Sequence, residues 1–119
     1  MSSYQIRRRK DKDRDRIEKV KIIDFGFAVY MNALRTLNPR EKYVGTPNFV
    51  APEVLEMKEF DQTVDNFSLG VIMYFMLSGN LPFNNVIQEE INRMTIECNL
   101  SMDYAHWSNV SDHVRDVLL

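Results

Sequence analysis

Apolar and polar positions along the chain change period several times, and each change marks an element. From Ile17 to Phe25, Val20, Ile22 and Ile23 lead up to Asp24, which predicts one short strand. Before it, Arg7 to Arg16 is almost wholly charged and has nothing to bury, so residues 1–16 are expected to be a flexible, solvated arm or insertion. Residues 27–49 mix Asn, Pro, Arg and Lys without a sustained period and predict a long loop, of a length that is usually functional or disordered. Ala51 to Met57 predicts a short helix, because Pro52 is tolerated in a first turn where its missing N–H would have no partner. Val64 to Ser78 is apolar nearly all round, the signature of a helix buried on every side, and Gly79 is placed to end it.

Beyond the turn-rich link Asn80–Asn85, Glu89 to Cys98 predicts an amphipathic helix with Ile91, Met94 and Ile96 inward. Ser111 stands as the N-cap of a last helix carrying Val114, Val117 and Leu118 on one side, with no stop signal after it. The expected fold is mainly α with one short β-strand, and no internal repeat is present.

Composition narrows the function classes. A chain of 119 residues fits one small domain, and 45% hydrophobic residues can supply its core. The net charge of −2 hides an asymmetry: residues 1–21 hold nine Lys/Arg against four Asp/Glu, and the remainder six against thirteen. Cys98 is the only cysteine and cannot form an internal disulfide, and no secretory signal follows the basic start. A reducing compartment is therefore expected, cytoplasmic or nuclear. The longest mostly apolar run, Phe67 to Leu77, is too short to span a bilayer, so no membrane partner is expected. Arg7-Arg8-Arg9-Lys10 has the composition of a nuclear-localisation or nucleic-acid patch. Acids interleave immediately after it, which favours a solvated insertion and leaves nucleic acid the least favoured partner.

Two tripeptides carry the candidate chemistry. Asp24-Phe25-Gly26 and Ala51-Pro52-Glu53 bracket a 30-residue segment that contains Val44-Gly45-Thr46-Pro47. A carboxylate at a strand end, a glycine that lets the chain swing, and a loop ending at a Pro-Glu that opens a helix form an ordered set. In that order and spacing the chain resembles a eukaryotic protein kinase, over Ile17 to Leu119 and less than half of a family domain. The resemblance implies a partial kinase C-terminal lobe over residues 17–119 and ATP-dependent phosphoryl transfer to Ser or Thr of a protein substrate.

Within that resemblance, Asp24 is the Mg²⁺ ligand, a hard oxygen of the kind the ion requires. Phe25 packs to fix its orientation, Gly26 gives the backbone freedom to switch, and the three together face ATP. Gly45, Thr46 and Pro47 belong to the substrate-docking loop of serine/threonine kinases. Asp65, in Asp65-Asn66-Phe67-Ser68-Leu69-Gly70-Val71, holds the catalytic-loop backbone from the family's central helix, where Phe67 replaces the more usual tryptophan. Glu53 pairs in the family with an arginine beyond position 119, and Arg115 is the substitute within this chain. Tyr30, Thr36 and Tyr43 lie where family members are often phosphorylated. Ser78-Gly79-Asn80-Leu81-Pro82-Phe83 is most similar to the calcium- or calmodulin-dependent branch, which implies calmodulin as a regulatory partner. His113-Val114-Arg115-Asp116 has one residue too many for a His-Arg-Asp loop and follows Ala-Pro-Glu, so it is read as surface helix; Trp107 is read as core.

These residues contain no Gly-rich phosphate loop, no strand lysine paired to a helix glutamate, and no catalytic aspartate or metal-binding asparagine. No catalytic residue is therefore assigned, and the chain is expected to be inactive alone. Without the elements that wrap the central helix in the family, part of the Phe67–Leu77 surface is expected to face water and promote association. The alternative is a catalytically dead interaction module built on the same surface.

Overall fold

The computed structural model describes residues 4–11, 14–34, 36–38, 41, 43–102, 107–108 and 110–118, and the chain divides into two units, Met1–Tyr30 and Met31–Leu119.

Two antiparallel strands, β1 (Tyr4–Asp11) and β2 (Arg14–Ile22), form a ribbon in the first unit. A strand over Tyr4–Asp11 corrects the expected solvated loop. The physical reason is the partner strand: pairing with Arg14–Ile22 gives the backbone of this charged segment the ladder hydrogen bonds it would otherwise make to water. The expected strand at Ile17–Phe25 begins earlier, at Arg14, and stops at Ile22, two residues before Asp24. There are thus two strands where one was expected.

The second unit is helical: α1 (Met31–Leu34), α2 (Pro52–Leu55), α3 (Val64–Ser78), α4 (Gln88–Ile96) and α5 (Asp112–Leu118). The expected long loop 27–49 contains α1 and a reciprocal pair in which the Asn38 amide donates to Glu41 and the Glu41 amide donates to Asn38 Oδ1, at 2.9 and 3.0 Å. That is capping-box chemistry, and it shortens the irregular stretch.

Helix α3 matches its expected bounds, and Gly79 ends it in the left-handed region at φ 73°, donating its N–H to the Phe75 carbonyl at 2.8 Å. A side chain there would be strained, which is why glycine stands at the stop. Around α3 the core collects Ala51 and Val54 from α2, Val71 and Tyr74 from α3, Ile91 and Thr95 from α4, with Phe83 and Trp107. Tyr74 and Trp107 pack tilted with ring centroids 4.9 Å apart, and the Tyr74 hydroxyl donates to the Ser101 carbonyl at 2.6 Å. Trp107 is core, as its composition implied.

Two details depart from the apolar pattern. On α4 it is Thr95, 1% exposed, that turns inward, while Ile96 is exposed. Thr95 can be buried because its hydroxyl donates to the Ile91 carbonyl at 2.8 Å. On α3, burial on every side fails: Leu69, Phe75 and Met76 are exposed, so part of the Phe67–Leu77 surface faces water, as expected. On α5, Val114 and Leu118 are partly covered but Val117 is exposed.

Candidate functional site

One candidate feature, in the first unit, is the turn after β2. Asp24 adopts φ 64°, a left-handed conformation that aspartate tolerates better than most residues because its short side chain bonds locally. Its Oδ1 accepts the N–H of Gly26 at 3.3 Å, and the next turn closes through the Ala28 N–H and the Phe25 carbonyl at 3.0 Å. The carboxylate is exposed. Phe25 was expected to pack and orient Asp24; it is 69% exposed, and the orientation comes instead from the two-residue hydrogen bond.

A separate candidate feature, in the second unit, is the segment entering α2. Gly45 has φ 142°, and a Cβ there would stand 3.0 Å from Val50 Cγ2, so this position both needs the glycine conformation and lacks room for a side chain. The Thr46 carbonyl accepts the Phe49 N–H at 3.2 Å, making a turn with Pro47 exposed at its tip. Two contacts then tie this turn to distant chain, beside an aromatic pair formed by Phe67 and Phe83. Asn48, at φ 75°, donates its side-chain amide to the Phe83 carbonyl at 2.8 Å. Ser68 on α3 donates its hydroxyl to the Phe49 carbonyl at 2.7 Å. Phe67 stacks on Phe83 with centroids 6.3 Å apart and planes 3° from parallel. The turn is therefore held against the start of α3 and the Asn80–Asn85 link by polar contacts of long sequence separation.

Asn48, Ser68 and Phe83 were not singled out as site residues. A signal for two of them existed: Ser68 is a hydroxyl inside an apolar helix, and Asn48 is a residue type that accepts left-handed backbone. Their partners lie 35 and 19 residues away and are not legible locally.

Glu53 is half-buried in α2 and makes no ion pair among the described residues. Arg115 does not substitute as its partner. Its guanidinium donates to the Trp107 carbonyl at 3.0 Å and the Val110 carbonyl at 3.0 and 3.2 Å, with Asp112 at 3.6 Å, so it staples α5 to the Trp107 turn. His113 and Asp116 are exposed on α5, a surface helix without catalytic-loop form. Asp65 sits exposed in the first turn of α3, where a carboxylate interacts favourably with the helix dipole. Tyr30, Thr36 and Tyr43 are all exposed. No group of three His, Cys, Asp or Glu among the described residues forms a metal cluster. Among the same residues, no helix is long and apolar enough to cross a membrane.

Each unit thus presents one candidate feature: a left-handed Asp24 after β2 in the first, and a Thr46-Pro47 turn anchored to α3 in the second. The chain belongs to the protein kinase domain family, whose pattern it matches over residues 10–119. The relatives are serine/threonine kinases. The protein named Probable serine/threonine-protein kinase 2 from Plasmodium falciparum is 39% identical over 100 residues, covering 84% of this chain. Human Ribosomal protein S6 kinase alpha-3 is 39% identical over 104 residues and 85% of the chain. Rat Serine/threonine-protein kinase D2 is 36% identical over 104 residues and 87% of the chain. The chain spans 19%, 14% and 11% of the lengths of these three relatives. It is a member of the serine/threonine kinase group of the family.

Proposed function

We propose that these residues are the metal-turn and substrate-docking portion of a serine/threonine protein kinase that transfers the γ-phosphoryl group of ATP to a Ser or Thr hydroxyl of a protein. The anchored Gly45–Val50 turn carries this reading. A loop that must present one face to many peptides needs its backbone held from behind, and the Asn48–Phe83 and Ser68–Phe49 hydrogen bonds supply that support while Pro47 stays exposed.

The residues fit Mg²⁺ in the limited way such sites require. Mg²⁺ is commonly held by one or two carboxylates with substrate phosphates completing its shell, and exposed Asp24 offers one hard oxygen donor set. When bound, the ion neutralises charge on the transferring phosphoryl group. Asp24 would hold the ion, and the Gly26 N–H, by engaging one carboxylate oxygen, fixes the rotation of the group. Gly45, Thr46 and Pro47 would meet the substrate backbone.

These 119 residues supply no general base, a loss of about 10² to 10⁴ in rate, and no phosphate loop. We infer that they are inactive by themselves, in the cytoplasm or nucleus, and become productive only with the rest of a kinase domain. The Ser78–Phe83 turn supports a further assignment to the calcium- or calmodulin-dependent branch.

The test has two arms. The purified 119-residue chain with Mg-ATP and a Ser/Thr peptide mixture is expected to incorporate no phosphate. A complete kinase domain containing this segment is expected to do so, and to lose activity with Asp24→Asn. Incorporation by the short chain that Asp24→Asn abolishes would overturn the inactivity, and a complete domain indifferent to Asp24→Asn would remove Asp24 from metal binding. Stimulation of the complete domain by Ca²⁺-calmodulin checks the branch assignment.

A further inference from the structure

The local rules for starting a helix are broken at one exposed place, the entry to α4. An N-cap is favoured as Ser, Thr, Asp or Asn, whose side chain satisfies a free amide of the first turn, and isoleucine is among the poorest choices. The N-cap here is Ile87, extended at φ −105° and ψ 122°, 56% exposed and without a capping hydrogen bond from its side chain. An apolar residue before the N-cap often packs on the fourth helical residue. Val86 holds the first of these positions and Ile91 the second, yet Ile91 is buried and Val86 is 99% exposed, so that staple is not made. Two adjacent apolar side chains stand in water and contribute little to the fold. Departures of this kind from local consistency are expected where function requires them.

The tip is nevertheless held. Asn85 Oδ1 accepts the Ile87 N–H at 3.1 Å, which arches the chain under Val86. Three residues before Val86, Phe83 is buried, stacks on Phe67, and accepts the Asn48 side-chain amide at its carbonyl. The hydrogen bond that supports the Gly45–Val50 turn therefore also fixes the base of the Val86 tip, and one scaffold carries both exposed features. An apolar anchor that is ordered before binding loses little entropy on binding. Beside it Glu89 is exposed and makes no ion pair among the described residues, whereas Glu90 and Glu97 share Arg93. We propose that the Val86–Ile87 tip is a second docking point for the protein substrate, which meets it with an apolar pocket edged by Lys or Arg, away from the segment that carries the phosphorylated hydroxyl. This rests on the phosphoryl-transfer reading and adds a substrate class to it: folded proteins held at two places, not short peptides.

The test uses a complete kinase domain containing this segment, Mg-ATP, and one phosphatase-treated eukaryotic cell extract offered in two forms, native and digested to peptides. Initial rates of phosphate incorporation are compared at acceptor sites that both forms share. Val86→Asn/Ile87→Thr removes both apolar groups and gives α4 a threonine N-cap with Glu90 three residues on, so the variant should melt no lower than the parent. Its incorporation into intact proteins is expected to fall roughly tenfold, while incorporation into the peptides keeps the parent rate. Glu89→Gln is expected to lower the intact-protein rate less, with a difference that shrinks as salt is raised. Equal rates of parent and double variant on intact proteins overturn the proposal. Equal losses on both forms overturn it too, since the substitutions would then act through the Gly45–Val50 turn. A complete domain idle on the peptides as well removes the kinase reading itself, and the proposal with it. A parent that sediments as a dimer and a double variant that sediments as a monomer overturn the substrate assignment and give the tip to a second copy.

Discussion

The two motifs that flank the central loop are held in different ways. Asp24 and Gly26 are held by one contact spanning two residues, next to an exposed Phe25. Gly45 to Val50 is held by partners 19 and 35 residues away. A locally fixed turn keeps its geometry whatever the core does; a turn fixed from a distance is only as firm as the helix behind it. The Asp24 turn therefore rests on local contacts alone, and the Gly45–Val50 turn is coupled to the stability of α3.

That contrast can be broken first at the core. Trp107→Ala removes the ring packed on Tyr74 and is expected to cost about 3–5 kcal/mol in a urea melt. Phe25→Ala is expected to cost less than about 0.5 kcal/mol, and a comparable loss in both would show that Phe25 is packed after all. Next come the two glycines. Gly45→Ala places a Cβ 3.0 Å from Val50 at φ 142°, with an expected cost of about 1–3 kcal/mol. Gly26→Ala meets only the exposed Asp24 carboxylate at 3.2 Å, which can rotate aside, so its cost should stay within about 0.5 kcal/mol. Equal costs would erase the distinction between the turns.

A smaller effect separates the tie from the helix. Ser68→Ala leaves the half-buried Phe49 carbonyl without its donor and is expected to destabilise by about 1 kcal/mol. Hydrogen exchange of the Phe49 amide should quicken in the same variant while α4 amides stay unchanged.

The smallest effect is electrostatic. Arg93 donates to both Glu90 and Glu97 on the exposed face of α4, and its hydrogen bonds to Glu90 hold that carboxyl below its usual 4.5. A carboxyl whose folded pKa is depressed contributes its stability above the unfolded value and loses it as pH falls through the folded one. Melting temperature should therefore decline slightly more steeply in the parent than in Glu90→Gln below about pH 4.5. Identical acid profiles would show that the pair contributes nothing, as many exposed pairs do.

Much of the helical unit was legible because its periods were unambiguous. Val64–Ser78 and its Gly79 stop follow from one apolar run and one conformationally free residue, and α2 follows from Pro52. The ribbon was not legible for the opposite reason: a run of charges carries no apolar period to mark a strand, and only pairing with a second strand decides it. Thr95 turned inward against the apolar pattern because a hydroxyl can be satisfied by its own helix. Arg115 does not take the place expected for it beside Glu53, since the Trp107 and Val110 carbonyls claim its guanidinium.

The order Asp24-Phe25-Gly26, Gly45-Thr46-Pro47, Ala51-Pro52-Glu53 by itself determined the family, because motif spacing is a property of the linear chain. Tertiary structure decided what each residue touches. It left Phe25 exposed and gave Asn48 and Ser68 the task of holding the Gly45–Val50 turn. Hydrogen bonds across 19 or 35 residues and cross-strand register depend on how distant segments meet, and local composition carries no record of that meeting.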